Sequence, residues 1–141
     1  MTDSDISDKK IVIVISAQLE IGQAANRAAV LATGLAAHVP NMIGIDVTTK
    51  DGKTLLGITQ IPIPILTTKP DTSLSDLANS GQELGCMAIL YLSRVQGMTS
   101  YEEYIQSVSQ TIYQNLDIDA IALYGDKKSI TKITGNLPSL R

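Results

Sequence analysis

Short aliphatic runs alternate with helix-length segments along the chain, and this alternation restricts the folds that it can adopt. The first run, residues 10–16, is continuous and rich in β-branched residues, which is typical of a strand buried on both faces of a sheet. Residues 22–38 follow with the alanine-rich stripe of a helix that packs close to a sheet. Further strands are predicted at residues 86–92, in a central position, and at residues 118–124. The pattern predicts an α/β protein, a three-layer α/β/α sandwich with a mixed, mainly parallel sheet.

The segment after the first helix contains a predicted hairpin and a predicted edge strand. Residues 42–48 and 53–58 flank Asp51-Gly52, a strong two-residue turn signal for antiparallel pairing. Residues 61–65 alternate isoleucine with proline, and each proline lacks the amide that a neighbouring strand would need. This second segment is therefore predicted to be an edge strand or an extended surface segment.

Hydroxyl and carboxylate side chains mark the starts of the remaining helices. Thr72 or Ser73 is the predicted cap of a helix that reaches about residue 84. Ser100, with Glu103 three residues later, matches a capping box for a helix that reaches residue 115. Asp126 is the predicted cap of the last helix, which directly follows the final strand.

The chain of 141 residues is long enough for one domain with a single core, predicted for residues 9–141 after an acidic, disordered lead-in of residues 1–8. The one cysteine, Cys86, rules out an intrachain disulfide and fits a reducing compartment. The first apolar run is too short for a signal or membrane segment, so we expect a cytoplasmic protein without membrane contact. A nucleophile elbow, a phosphate-binding loop and His-Glu metal spacing are missing from the sequence, and we expect neither a metal nor a cofactor.

Charge is distributed unevenly along the chain. The formal net charge of −3 argues against indiscriminate nucleic-acid binding, because that mode relies on the neutralisation of phosphates. Residues 126–141 carry four cations and one acid, so this end is locally +3 and the remainder is −6. An anionic ligand would therefore be attracted to the C-terminal end.

Two loops lead from a strand into a helix and offer unpaired amides together with polar side chains, a setting that favours anions. Ligands of such sheets bind beyond the carboxyl ends of the strands. If the first and last strands are parallel neighbours, the two loops lie side by side and form a site for a small anionic or nucleotide-like ligand. The candidate residues are Ser16, Gln18, Gly22, Gln23, Asn26 and Arg27 after the first strand, and Tyr124, Gly125, Asp126, Lys127 and Lys128 after the last. Ordinary helix entry, with Asp126 as a cap and the lysines in solvent, is the alternative interpretation.

Six short motifs, spread over nearly the whole chain, carry a resemblance to a known family. They are Gly22-x-Ala24-Ala25-Asn26, Gly57-Ile58, Pro62-Ile63-Pro64, Tyr101-x-x-Tyr104, Leu123-Tyr124-Gly125 and Thr134-Gly135-Asn136-Leu137-Pro138. Through them the chain resembles the domain of unknown function 2000 family, which is similar in fold to the type II peptidyl-tRNA hydrolases. The resemblance implies the fold of those hydrolases, with residues 24–26 and 132–137 in the places of hydrolase motifs. It also implies altered catalytic residues, because the turn at residues 22–23 lacks the hydrolase lysine and the helix lacks the hydrolase histidine.

One alternative to a binding protein is a hydrolase of peptidyl-tRNA or a related ester. In that case Asn26, Gln18 and Asp126 are the candidates for positioning the attacking water. Binding of tRNA through the lysines within residues 127–132 would then be expected. The missing hydrolase lysine weakens this alternative, since it would have been the obvious electrostatic contributor to polarising the ester.

A second alternative is a structural or interaction protein that acts as a homodimer. Exposed apolar edges often pair two copies of a chain. The candidate surfaces are the edge formed by residues 61–66 and the helical face that carries Tyr101 and Tyr104.

Overall fold

The computed structural model describes residues 6–141, and within them four α-helices are interspersed with six strands. The strands are β1 (Lys9–Ile15), β2 (Val47–Thr48), β3 (Thr54–Leu55), β4 (Ile65–Thr67), β5 (Met87–Leu92) and β6 (Ile118–Asp126). The helices are α1 (Ile21–His38), α2 (Leu74–Glu83), α3 (Tyr101–Ser109) and α4 (Lys127–Thr134). Two short 3-10 helices, Ser93–Val95 and Tyr113–Asn115, flank α3 in the connection from β5 to β6.

Four strands form the main sheet in the order β4-β1-β6-β5, and β2 pairs with β3 in a separate two-stranded sheet. β1 is parallel to β4, with Ile15 opposite Thr67. It is antiparallel to β6, with Lys9 opposite Asp126. Since β5 is also antiparallel to β6, the strands β1, β4 and β5 run in one direction and β6 runs between β1 and β5 in the other.

The sheet is mixed, as predicted, but it is not mainly parallel, because only one of its three strand pairs is parallel. The reason lies in the connection between β5 and β6, whose two ends meet at the same end of the sheet. Leu92 is paired with Ile118, and the Ser93 amide donates a hydrogen bond to the Asp117 carbonyl at 2.7 Å. The helix in this connection does not carry the chain across the sheet, so β6 returns antiparallel to β5. β5, predicted to be central, lies at an edge.

Apolar cores lie on both faces of the main sheet and give the predicted three layers. α1 covers one face with Ala24, Ala28, Leu31 and Leu35, which are spaced three and four residues apart. α2 and α4 cover the other face, where Ile130 of α4 is completely buried. β1 contributes alternate side chains to the two cores, which explains why its aliphatic run is continuous.

Hydroxyl caps fix the starts of two helices where they were predicted. Ser73 Oγ accepts a hydrogen bond from the Asp76 amide at 3.2 Å, and Ser100 Oγ accepts one from the Glu103 amide at 3.2 Å. The helix that follows Ser100 is shorter than predicted, since α3 ends at Ser109 and the chain continues into a 3-10 turn.

The outer edge of β4 is covered by residues near the C-terminal end of the chain. The Thr67 amide donates to the Pro138 carbonyl at 2.9 Å, and the Leu140 amide donates to the Ile65 carbonyl at 2.9 Å. β4 is therefore an edge strand of the sheet. It shares only Ile65 with the predicted segment of residues 61–65, whose first four residues precede the strand. Its edge, however, is bonded within the chain and is not free to pair with a second copy.

The predicted hairpin is present in a shortened form. β2 and β3 pair Val47 with Leu55, and Gly52 in the turn has a φ of 89°, in the left-handed region that favours glycine. Farther from the turn, the two segments meet again through a bridge between Ile43 and Thr59.

The N-terminal lead-in is described in part. Residues 1–5 lie outside the described residues, while residues 6–8 form a turn in which the Lys9 amide donates to the Ile6 carbonyl at 3.1 Å. Among the helices of residues 6–141, none combines the length and the apolar character that crossing a membrane requires.

Candidate functional site

A cavity of about 520 Å³ opens beyond the carboxyl ends of β1 and β4, the parallel pair of the sheet. Its wall is formed by the loop after β1, the loop after β4 and the first turn of α2, with a smaller contribution from the start of β6. The polar side chains that line it are Ser16, Gln18, Thr68, Lys69, Thr72, Ser73 and Ser75. We call it the hydroxyl cavity. It occupies the position at which open α/β sheets bind ligands.

Hydrogen bonds between the two loops hold the wall of the hydroxyl cavity in place. The Ala17 amide donates to Thr68 Oγ1 at 2.9 Å, and the Thr68 amide donates to the Ile15 carbonyl at 3.1 Å. The second loop is also closed on itself, because the Lys69 amide donates to Thr72 Oγ1 and the Thr72 amide donates to the Lys69 carbonyl, both at 2.9 Å. Hydrogen bonds within the protein therefore fix the wall of the cavity without a ligand.

The first amides of α2 border the same cavity. Amides in the first turn of a helix have no acceptor within the helix. Ser73 caps one of them, because its Oγ accepts from the Asp76 amide, while its carbonyl accepts the first regular bond of the helix, from the Leu77 amide at 3.0 Å. Among the described residues, the amides of Leu74 and Ser75 have no hydrogen-bond partner. Two free amides at the positive end of a helix dipole favour an anion.

Lys69 is the one titratable side chain among the described residues that line the cavity. It is half-buried, and it takes part in none of the ion pairs found within residues 6–141. Lys69 also borders a smaller cavity of about 240 Å³ that contains Asp71 and Asp76, but neither carboxylate forms an ion pair with it. Within residues 6–141, no group of three or more His, Cys, Asp or Glu side chains is placed to hold a metal ion. The Lys69 ammonium is thus available to neutralise an anion.

The predicted residues of the first loop are divided between two places. Ser16 and Gln18 line the hydroxyl cavity. Gly22 and Gln23 lie in the first turn of α1, where Gln23 Oε1 accepts a hydrogen bond from the Glu20 amide at 3.1 Å and completes a capping box. Gln23 therefore serves the helix end, and Gly22 is exposed beside it.

Arg27, predicted to contact a ligand, is buried within the protein with 4% of its surface exposed. Its guanidinium forms an ion pair with Asp119 at 3.2 Å and lies 4.5 Å from the centre of the Tyr91 ring. It also donates to Asn26 Oδ1 at 3.0 Å and to Gln96 Oε1 at 2.5 Å. Because these donors are used internally, Arg27 ties α1 to β6, and the Asn26 side-chain oxygen is engaged with it.

The loop after the last strand lies at the opposite end of the sheet from the hydroxyl cavity. The antiparallel register that places Ile15 opposite Ala120 places Lys9 opposite Asp126. The predicted side-by-side arrangement of the two loops is therefore wrong. Asp126 precedes α4, as predicted, but its side chain makes no capping bond, and Oδ1 accepts from Lys9 Nζ at 2.7 Å instead. That hydrogen bond raises the pKa of Lys9.

A second cavity, of about 480 Å³, lies at this opposite end and contains Lys127. Lys9 and Lys10, from the start of β1, also line it, next to the proline-containing segment that precedes β4. We call it the lysine cavity. Lys128, the other predicted lysine, is exposed on α4.

Tyr124 and Gly125 belong to the packed sheet. Tyr124 is paired with Ile11 on one side and with Met87 on the other. A Cβ atom added to Gly125 would lie 2.5 Å from Sγ of Cys86, so the strand approaches that thiol closely. Burial raises the pKa of the Cys86 thiol. Both predicted residues therefore take part in the packing of the sheet.

Comparison with known proteins places the chain in a family. The DUF2000 family model, described as a protein of unknown function, matches residues 9–141. The chain belongs to the DUF2000 family. This match confirms the family that the six motifs predicted.

A solved structure with a similar fold is that of Atu0240, a protein of unknown function from Agrobacterium tumefaciens strain C58. It is 22% identical to this DUF2000 chain, with a TM-score of 0.84 over 95% of this chain and 98% of the other. At that identity the likeness shows the fold alone. No curated protein sequence matches. The likeness to type II peptidyl-tRNA hydrolases therefore stays a prediction.

The loop after β4 and the first turn of α2 supply cavity residues of the DUF2000 chain that the sequence analysis did not select as a site. They are Thr68, Lys69, Thr72, Ser73 and Ser75. Residues 67–75 contain five Ser or Thr residues and one lysine between a strand and a capped helix, and this composition was the available signal. The parallel pairing of β4 with β1, which completes the cavity, has no local signal in the sequence.

Proposed function

We propose that this DUF2000 protein binds a small anionic ligand in the hydroxyl cavity. The observation that carries the proposal is the position of Lys69, a cation without an ion-pair partner among residues 6–141, between hydroxyl side chains and two free helix amides. Such groups neutralise negative charge and donate several hydrogen bonds to it. A phosphate or carboxylate group fits this set of donors, which favours nucleotides and phosphorylated or carboxylated metabolites as ligands.

The lysine cavity is the alternative place for an anion. It has three lysines, but Lys9 is already paired with Asp126 at 2.7 Å, and Lys10 Nζ lies 3.4 Å from Thr131 Oγ1. The hydroxyl cavity offers donors at fixed backbone positions as well as a cation. We therefore favour the hydroxyl cavity.

Ester hydrolysis is the second candidate function, and the motif resemblance to type II peptidyl-tRNA hydrolases supports it. Hydrolysis needs a group that activates water and a group that polarises the carbonyl. Lys69 is suited to the second task, but the described lining contains no carboxylate or histidine for the first. Gln18 and Asp126, predicted to position water together, lie at opposite ends of the sheet. Binding is therefore favoured over hydrolysis.

Transfer RNA as the ligand would draw on the lysines of α4. Contacts from Lys127, Lys128 and Lys132 to three phosphates predict a slope of about −2 to −3 in a log-log plot of affinity against salt. A flat plot would exclude this mode of binding.

A thermal-shift panel tests the proposed function. It contains inorganic phosphate, nucleotides, phosphorylated sugars, small carboxylates, aminoacyl esters and uncharged tRNA. A ligand present at 100 times its dissociation constant adds about 2.7 kcal/mol to the stability of the folded state. A panel in which no anion stabilises the protein contradicts the proposal, and release of product from peptidyl-tRNA above the buffer rate would favour the second candidate.

Matched variants locate the ligand. Lys69→Gln removes the cation of the hydroxyl cavity, while the control, Lys127→Gln with Lys128→Gln, removes charge at the other end of the sheet. We expect the first variant to lose most of the ligand-induced thermal shift and the control to keep it. The reverse pattern would place the ligand in the lysine cavity and refute the proposed site.

A further inference from the structure

Residues 41–60, which connect α1 to β4, form an arm whose strands are not part of the main sheet. Its two segments are bonded to each other: the Gly44 amide donates to the Ile58 carbonyl at 2.8 Å, and the Gln60 amide donates to the Met42 carbonyl at 2.7 Å. Near the tip, β2 and β3 form a sheet of their own. An isolated two-stranded hairpin is only marginally stable in water, so this arm lacks the support that the other strands receive.

The arm concentrates exposed apolar side chains. Six of the thirteen large hydrophobic side chains that are exposed within residues 6–141 belong to it. They are Ile43 (47% exposed), Ile45 (86%), Val47 (54%), Leu55 (56%), Leu56 (78%) and Ile58 (78%). The pairing of Val47 with Leu55 and of Ile43 with Thr59, together with the alternation of side chains along each segment, places Ile43, Ile45, Val47 and Leu55 on one face of the arm and Leu56 and Ile58 on the other. An exposed apolar face of this kind is a candidate interaction site.

The apolar area of the arm can be compared with the area that a stable interface uses. Burying an aliphatic side chain completely removes roughly 60–120 Å² from water. The four side chains of the first face are about 60% exposed on average, so each copy offers roughly 150–300 Å² of apolar surface there. A standard interface covers about 800 Å² per partner, of which about 65% is apolar in homodimers. One face of the arm therefore supplies about a third to a half of the apolar area that a homodimer needs.

The charge of the arm favours a second copy over a charged partner. The arm contains two acids, Asp46 and Asp51, and two cations, Lys50 and Lys53, so its net charge is zero and the chain's −3 lies elsewhere. Two arms can therefore approach without net repulsion. Among the described residues, β2 and β3 pair with no other strand, and identical open edges or faces can meet about a two-fold axis.

We propose that the arm is the interface of a homodimer, in which the arms of two copies pack together about a two-fold axis. This surface differs from both dimer surfaces expected from the sequence. The β4 edge is bonded to residues 138–140, and the Tyr101 and Tyr104 face lies on α3. The proposal does not depend on the ligand, since the arm contributes no residue to the hydroxyl cavity.

Sedimentation velocity from about 1 to 200 μM tests the proposal with two matched variants. Ile45→Glu with Leu55→Glu changes one face of the arm, and the control, Ile105→Glu with Ile112→Glu, makes the same kind of change at exposed isoleucines outside it. We expect dimers for the unmodified protein and the control, and dimerisation at least about 100-fold weaker for the arm variant. An unmodified protein that stays monomeric over this range, or an arm variant that stays dimeric, overturns the proposal.

Hydrogen exchange on the unmodified protein gives a measurement that does not rely on the folding of a variant. Amides of residues 41–60 should exchange more slowly at high than at low protein concentration, while amides of the main sheet stay unchanged. Exchange in the arm that is independent of concentration, at concentrations where sedimentation shows association, would place the interface elsewhere and refute the proposal.

Discussion

Two ion pairs near the start of β6 allow a direct test of how burial sets the contribution of an ion pair to stability. The side chains of Asp119 and Arg27 are 14% and 5% exposed, whereas those of Asp117 and Arg94 are 43% and 20% exposed. The two carboxylates are two residues apart. The same substitution can therefore be compared in nearly the same part of the fold.

Replacing Asp119 by Ala should be the more damaging change. It leaves the Arg27 guanidinium buried without a counter-ion and removes the oxygen that accepts the Ser93 hydroxyl. Breaking a buried pair costs about 3–5 kcal/mol. Gln96 and Asn26 still accept from Arg27, so we expect a loss near the lower limit, about 3 kcal/mol.

Replacing Asp117 by Ala should cost about 1 kcal/mol or less, because its pair is partly exposed and screened by solvent. Arg94 also keeps its hydrogen bonds to Ser107 and Thr111. The expected difference between the two alanine variants is therefore about 2 kcal/mol.

Urea unfolding followed by circular dichroism measures both losses. Arg27→Met combined with Asp119→Ala removes both charges, and we expect it to recover part of the stability that Asp119→Ala loses. Equal losses for the two aspartate variants would refute the argument from burial. A double variant no more stable than Asp119→Ala would show that an unpaired charge is not the cause of the loss.

Three further predictions concern glycines and the cysteine. Gly125→Ala should lower the free energy of unfolding by about 1–3 kcal/mol in urea titrations, because its Cβ would lie 2.5 Å from Cys86 Sγ. Gly22→Ala is the control and should cost nothing, because an added Cβ there has no atom within 4 Å. Equal effects of the two substitutions would contradict the packing argument. Burial raises the pKa of the Cys86 thiol, so its alkylation near pH 8 should be slower in the folded than in the urea-unfolded protein, and equal rates would contradict this. The free energy of unfolding should also decline as the pH rises above the pKa of the thiol in the unfolded chain, because the folded state favours the protonated thiol. Gly57→Ala, whose Cβ would meet the Gly44 carbonyl, should speed hydrogen exchange in the arm and leave exchange in β1 unchanged.

Features that depend on neighbouring residues could be predicted from the sequence. The aliphatic run of β1, the hydroxyl cap at Ser73 and the glycine turn at Gly52 each follow from interactions within a few positions. Strand direction could not be predicted in this way. The alternation of strands and helices suggested a mainly parallel sheet, but β6 is antiparallel because its connection from β5 stays at one end of the sheet.

The same limit explains which candidate residues were misplaced. Ligand sites were expected beyond the carboxyl ends of parallel neighbours, and the hydroxyl cavity lies at such a place. The parallel neighbour of β1 is β4, however, so Lys69 rather than Lys127 lies near Ser16. Arg27 was taken for a ligand residue because its partner, Asp119, is 92 positions away.

The buried Arg27 network also bears on the proposed ligand site. The Ser16 amide donates to the Asp119 carbonyl at 2.9 Å, so the residue that pairs with Arg27 also holds the first residue of the cavity wall. Ile118, next to Asp119, lines the same cavity. Arg27 is therefore linked to the wall of the hydroxyl cavity through Asp119. The sequence analysis selected Arg27 as a site residue, and the structure places its guanidinium against acceptors of Asp119, Asn26 and Gln96, behind the wall of the cavity.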